Sequence, residues 1–308
     1  IYLPLRSVCE TGLGKYVSYD SSCVHSGMIV ISDEPIVLPE GGGEITSKHD
    51  DSTGAYMMHC SDLQNLNDFL FFRRPEMSVI REDYNKSELK GVHPRIIMDK
   101  NDFDAMRVNV KTDSRMVTWY SGLISEADKL LGQDALIYEL RDGVRLWQVA
   151  NDFVSRMMVL SLAYQLTGDK RYSDRGYTEM KAIADFAGWH PEHHIDVAAM
   201  GIGYAIGYDW LYDTYTPEQR EYLEKRAYDN FYTEYIKGFE GLSCDMADGI
   251  SFNNNHNAVM NGGSVIMASA FMDIYPEASS YLISGSIRAT ENMIYNFAPL
   301  GNWYEGVA

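Results

Sequence analysis

Phe252-Asn253-Asn254-Asn255-His256-Asn257-Ala258-Val259-Met260-Asn261-Gly262-Gly263 places five asparagines and a histidine at the head of an apolar run that goes on as Val265-Ile266-Met267-Ala268. Asn and His are poor helix formers, and their polar ends need partners wherever they are buried. At the mouth of a helix such a cluster either lines a cavity or forms an Asn-rich turn that caps a core helix. The run beyond it is dominated by small residues: Ala258, Gly262, Gly263, Ala268 and Ala270. A second stretch has the same character, with Ala198, Ala199, Gly201, Gly203, Ala205 and Gly207. Glycine inside a helix costs about 1 kcal/mol relative to alanine, so two such helices imply close backbone packing.

Outward from these stretches the chain reads as helical hairpins. Leu146, Val149, Phe153, Met157, Leu160 and Tyr164 form one stripe of helical period, stopped by Gly168, and a partner helix follows over about 170–187. Ile195–Tyr212 pairs with 218–236 across Thr216-Pro217-Glu218-Gln219, a capping box with proline at the first helical position. The third pair covers about 255–273 and 277–296, hinged at Pro276. Before them, Asp99 caps a helix through Phe103, Met106 and Val110, and another spans about 114–131. Paired helices with small-residue first members fit the inner ring of an (α/α) toroid. The expected fold is therefore mainly α: an incomplete toroid of helical hairpins over 93–308, behind a small N-terminal α+β module.

That module occupies 1–38, with strand-like runs at Tyr16–Tyr19 and Met28–Ser32. Residues 39–92 read as a linker: a break at Gly41-Gly42-Gly43, one short amphipathic helix over Asp62–Phe72, and a connector to Gly91.

The 308 residues carry a net charge of −18, which argues against a nucleic-acid partner. No apolar run approaches the roughly 18 residues of a membrane span. The four cysteines lack CxxC spacing and give no zinc site, and Cys9 and Cys23 are left either paired or free. The chain opens in mid-pattern without an initiator methionine, so its true start is expected upstream. The cluster Trp189-His190-Pro191-Glu192-His193-His194 has ligand-like density but no HExxH pattern, and reads as a solvated helix start rather than a metal site. Asp196 and Asp209, 13 residues apart, would lie about 19 Å apart along one helix at ~1.5 Å per residue, too far for a direct acid–base pair.

Two resemblances refine this. Leu3-Pro4-Leu5-Arg6, Glu10, Gly14, Val17 and Asp20 resemble the copper amine oxidase N-terminal-like module, an accessory of secreted proteins in Gram-positive bacteria, with no copper ligands here. Over 93–308 four segments together resemble the heparinase II/III-like and oligo-alginate-lyase polysaccharide lyases. They are His93-Pro94-Arg95-Ile96-Ile97-Met98 with Asp102-Phe103, then Leu166-Thr167-Gly168-Asp169-Lys170-Arg171-Tyr172. The third is Ile195-Asp196-Val197 leading to Tyr208-Asp209-Trp210-Leu211-Tyr212. The last is Asn254–Val259 with Asn261-Gly262-Gly263 and, further on, Trp303-Tyr304-Glu305-Gly306.

The resemblance implies cleavage of uronate-containing glycans by β-elimination, without a cofactor or metal. Hydrogen-bond donors hold the uronate carboxylate while the C5 proton leaves. It assigns Asn255 and His256 to that task, with Asn254 and Asn257 as further substrate contacts. The other reading of His256 is a core imidazole satisfied by a backbone carbonyl. Trp303 and Tyr304 are either a sugar platform or core, and Glu305 binds a hydroxyl or caps. The family's base, a tyrosine, follows the Glu-Gly segment, and a β-sandwich domain supplies a further histidine. Both are expected beyond Ala308, so the chain reads as the N-terminal, by itself inactive, part of a secreted or cell-surface lyase acting on acidic polysaccharide. The alternatives are a non-catalytic acidic-glycan-binding toroid and a toroid glycoside hydrolase.

Overall fold

The structure is a computed structural model and describes residues 76–252 and 254–294, together with four strands nearer the N-terminus. The strands are β1 (Tyr16–Asp20), β2 (Met28–Ser32), β3 (His49–Asp50) and β4 (Ala55–His59). They form one antiparallel sheet in the order β1-β2-β4-β3, with Val17 opposite Ile31 and Val30 opposite Met57. The strand expected over 28–32 is β2, and β3 and β4 lie where loop and linker were expected. The Asp62–Phe72 helix and Trp303, Tyr304 and Glu305 lie outside the described residues. The strands belong to one compact unit and the helices to another. The protein is mainly helical, and no described helix is long and apolar enough to cross a membrane.

The helical unit starts earlier than expected. Within the stretch read as a connector lies α1 (Met77–Lys86). It docks on the last described helix, α11 (Pro276–Ile294), where Arg81 hydrogen-bonds Ser280 at 2.8 Å and pairs with Glu277 at 2.9 Å. Next come α2 (Lys100–Thr112) and α3 (Ser114–Leu131). Asp99 and Asp102 cap α2 reciprocally, satisfying N–H groups that a helix start leaves open.

The three hairpins follow as read. Helix α4 (Trp147–Thr167) ends at Gly168, whose φ of 72° is left-handed, and turns into α5 (Lys170–Ala184). Helix α6 (Ile195–Trp210) turns through Thr216 into α7 (Pro217–Ala227), with the Thr216–Gln219 capping box in place. The chain runs on through a π-helical turn, Tyr228–Tyr232, into α8 (Thr233–Phe239). A helix the periodicity did not reveal, α9 (Cys244–Ser251), precedes α10 (Asn255–Ala270), which pairs with α11.

Helices α4, α6 and α10 pack side by side, α6 between the other two. Fourteen of the sixteen residues of α6 are buried, as expected for a helix covered on every side. Its glycines make this possible. A Cβ on Gly201 would lie 2.2 Å from the Phe231 ring, and one on Gly263 of α10 would lie 3.1 Å from the Ala198 carbonyl oxygen. Of the two small-residue helices, α6 is the more enclosed. On the far side of α4, the buried Glu179 of α5 accepts from Arg156 at 2.5 Å, Arg175 at 2.6 Å and the Leu136 N–H at 3.1 Å.

Candidate functional site

The first turns of α6 and α10 meet at one end of the unit. Asn254 caps α10, its side chain accepting from the His256 N–H at 3.0 Å. This stands Asn255 exposed and His256 half-buried on the first turn. His256 meets a residue 62 positions away: His194 Nε2 lies 2.8 Å from His256 Nδ1, with the rings at 62°. One nitrogen of the pair carries the shared hydrogen and the other accepts it. His194 is pushed down to about 4, by burial first and then by His256 and His193, so it is a neutral ring at neutral pH. Gly249 of α9 makes room for it, since a Cβ there would lie 2.3 Å from the His194 ring. Phe252 stands edge-on to His194 at 6.0 Å.

Beside this pair lies Asp196, fully buried in the first turn of α6. It accepts from His190 Nδ1 at 3.0 Å, His193 Nδ1 at 2.8 Å and the Leu146 N–H at 2.8 Å. The carboxylate thereby ties the start of α4, the turn at Pro191–His193 and α6 into one block. The expectation of a solvated helix start is corrected here. His190 and His193 are 13% and 22% exposed in their side chains and are committed to Asp196. Burial of an ionised carboxyl demands such partners, and three donors converge on it.

Asn257 is buried, and its Nδ2 donates to the Ile250 carbonyl at 2.9 Å and the Ala289 carbonyl at 2.8 Å. Asn261 donates to Ile250 at 3.1 Å as well. Together they clamp the end of α9 to α10 and α11, while Oδ1 of each is buried without a partner. The structure thus brings Asn255 and His256 together on one turn and places Asn257 behind them, in the core.

The other end of α6 carries Asp209, buried as well. It accepts from His93 Nδ1 at 2.6 Å and from the Arg95 and Ile96 N–H groups at 2.8 and 2.9 Å. His93 stacks on Tyr212 at 3.8 Å, and Arg95 pairs with Asp273 at 2.5 Å. Burial opposes the charge on Asp273, but hydrogen bonds from Tyr84 and Arg95 hold its carboxyl below the usual range. Asp196 and Asp209 therefore sit at opposite ends of α6, each enclosed in its own network.

His194 is the residue that sequence reasoning passed over. The signal was present, in that an unusual density of histidine stands directly before a small-residue helix. What was missing was the partner, because His256 comes from another hairpin. Among the described residues no group of three or more His, Cys, Asp or Glu is placed to hold a metal ion. No known family profile matches the chain, and no curated protein sequence matches it.

Proposed function

We propose that the protein is a polysaccharide lyase of the heparinase II/III-like kind, cleaving uronate-containing glycans by β-elimination at the end where α6 and α10 begin. The observation that carries this is the His194–His256 hydrogen bond beside the exposed Asn255. Elimination removes a weakly acidic C5 proton while the adjacent carboxylate gathers negative charge. Donors held rigidly around that carboxylate lower the barrier, because they need no reorganisation as the charge develops. An imidazole locked by a second, neutral imidazole is such a donor. Asn255 adds an amide, and the first turn of α10 adds the positive end of its helix dipole.

In this reading the helical hairpins form part of an (α/α) toroid, consistent with the side-by-side packing of α4, α6 and α10. The N-terminal sheet belongs to an accessory α+β module, and the protein works outside the cell or on its surface, where such glycans are found. The base is assigned to a tyrosine outside the described residues. Where a described tyrosine has a shifted phenol it is shifted upward, as at Tyr84 and Tyr172, both raised to about 12. The burial of Asp196 and Asp209 within separate networks speaks against a hydrolase using that pair.

The test is formation of unsaturated uronate, followed by its ultraviolet absorbance, on alginate and glycosaminoglycan substrates. The protein is assayed as its full natural chain. His256→Ala is expected to lower turnover by about 10²–10³ with a smaller effect on KM. Normal turnover combined with a lowered melting temperature would make His256 a core residue and end the proposal.

A further inference from the structure

A cleft lies beside the Asp196 block, lined in part by the Trp189–Glu192 segment. It has a volume of about 370 Å³, within the range of about 300–1,000 Å³ usual for small-molecule pockets. Its walls include Tyr138, His190, Glu192 and, from the π-helical turn and α8, Asp229, Asn230 and Glu234.

Asn230 is the unusual member. It is only 5% exposed, and its Nδ2 is buried without any hydrogen-bond partner in the protein. Buried amides are rarely left in this state, because the stranded donor keeps its full desolvation cost. A ligand acceptor at this wall removes that cost. The residue sits on a π-helical turn, a break in α-helical spacing found frequently at functional sites. Another wall residue, His190, has a φ of 60°, a left-handed conformation uncommon outside glycine, and its Nδ1 donates to Asp196.

The chemistry of the ligand follows from what the walls lack. Asp229 gives one oxygen to Lys225 and Arg226, and Glu234 gives one to Lys237, so each keeps a second oxygen as an acceptor. Glu192 is exposed and has no ion pair among the described residues. An anion here would face the uncompensated Glu192 carboxylate. A cation would satisfy the carboxylates but leave the Asn230 N–H without an acceptor. A hydroxyl group both donates and accepts, and so answers both walls at once. Tyr138, 45% exposed, offers an aromatic face against which the C–H side of a ring can lie.

We propose that this cleft binds a neutral, hydroxyl-rich sugar ring, with Asn230 donating to one hydroxyl and the Glu192, Asp229 and Glu234 carboxylates accepting from its neighbours. The inference stands apart from the lyase reading, since neither uronate recognition nor elimination enters it.

The experiment titrates the intact protein with glucose, N-acetylglucosamine, glucosamine and glucuronate, using saturation-transfer NMR and the fluorescence of Trp189, which also lines the cleft. One or both neutral sugars are expected to bind more tightly than either charged one. Asn230→Ala is expected to weaken that binding by at least about tenfold, roughly 1.4 kcal/mol, with no fall in melting temperature. Tyr138→Ala, on the exposed wall, is expected to weaken it too. Three results would each overturn the proposal: no neutral sugar binds; a charged sugar binds best; or both variants bind as the parent does. A clear loss of stability in Asn230→Ala would do the same, by showing that the amide already had a partner.

Discussion

Replacing Asp196 by alanine removes one acceptor from three donors at once. Each hydrogen bond to a charged group contributes about 1.5–3 kcal/mol, so three independent losses would sum to about 4.5–9 kcal/mol. They are not independent. His190 and His193 are 13% and 22% exposed, and their freed Nδ1–H groups can turn to water. Leu146 is fully buried, and its N–H, donating to Asp196 at 2.8 Å, is stranded. The expected cost is therefore about 3–5 kcal/mol, typical of breaking a buried charged network from one side. At about 2–4 °C per kcal/mol for a domain of this size, the melting temperature should fall by roughly 6–20 °C. Asp196→Asn retains an acceptor for Leu146 and should cost only about 1.5–3 kcal/mol. The assay is thermal and urea unfolding followed by far-ultraviolet circular dichroism, with both variants at neutral pH. An alanine variant within about 1 kcal/mol of the parent would refute the scaffold role. So would an asparagine variant as damaged as the alanine one.

Gly201→Ala places a methyl 2.2 Å from the Phe231 ring and should destabilise by about 1–3 kcal/mol, with partial rescue by Phe231→Leu. Gly262→Ala, with nothing within 4 Å of its Cβ, should instead stabilise by up to about 1 kcal/mol, and equal effects in the two unfolding curves would contradict the packing argument. Thr216→Ala removes the cap of α7 and should cost about 1 kcal/mol, read as a shift in urea midpoint. His194 is held down at about 4 against an ordinary 6.5, by burial, His256 and His193, and against the opposing pull of Asp245 and Asp248. The unfolded chain therefore takes up this proton first, so stability should be full above about pH 6.5 and decline as pH falls toward 4. His194→Gln should flatten that decline, and an unchanged pH profile would show that His194 is not its source.

How much of this was legible depended on where the chain declares itself locally. The Thr216–Gln219 box and the Asp99 cap satisfy their own N–H groups within three residues, so short motifs sufficed to place α7 and α2. The small-residue stripes of α6 and α10 announced close packing because glycine in a helix needs a compensating reason. Helix α1 could not be read this way, since none of its residues is buried and its apolar stripe is only Met77, Ile80 and Tyr84. Helix α9 is eight residues long and contains Gly249, which reads as a break until the His194 ring that fills its place is known. The π-helical turn adds one residue per turn without changing residue type, so composition is blind to it. At the candidate site the types were legible and the pairing was not, because His194 and His256 are joined across 62 residues by tertiary packing alone.

The two ends of α6 show why the functional reading attaches to one of them. Both carry a buried aspartate that takes three backbone or ring donors and fixes an incoming segment. At the Asp209 end the network closes on itself. His93 and Arg95 meet on Asp209, Arg95 and Tyr84 meet on Asp273, and Arg95 donates further to the Val92 carbonyl and to the Ser269 and Ala270 carbonyls at the end of α10. Such an arrangement is a lock, in which every strong donor named is already used. At the Asp196 end the same device supports groups that are not fully used. Asn255 projects from the first turn of α10, Asn230 has a buried donor with no partner, and His194 keeps a neutral ring against His256. A fold gains no stability from leaving polar groups in that state. The expected outcome is a divergence between stability and function. Substitutions at His93, Arg95 or Asp273 should lower the unfolding midpoint and reduce activity only in proportion to the folded fraction. Substitutions at Asn255, His256 or Asn230 should leave the midpoint within about 1 kcal/mol of the parent while turnover or sugar affinity falls. Unfolding curves and assays on both sets decide it, and the same correlation of activity with stability at both ends would show that neither end is a site.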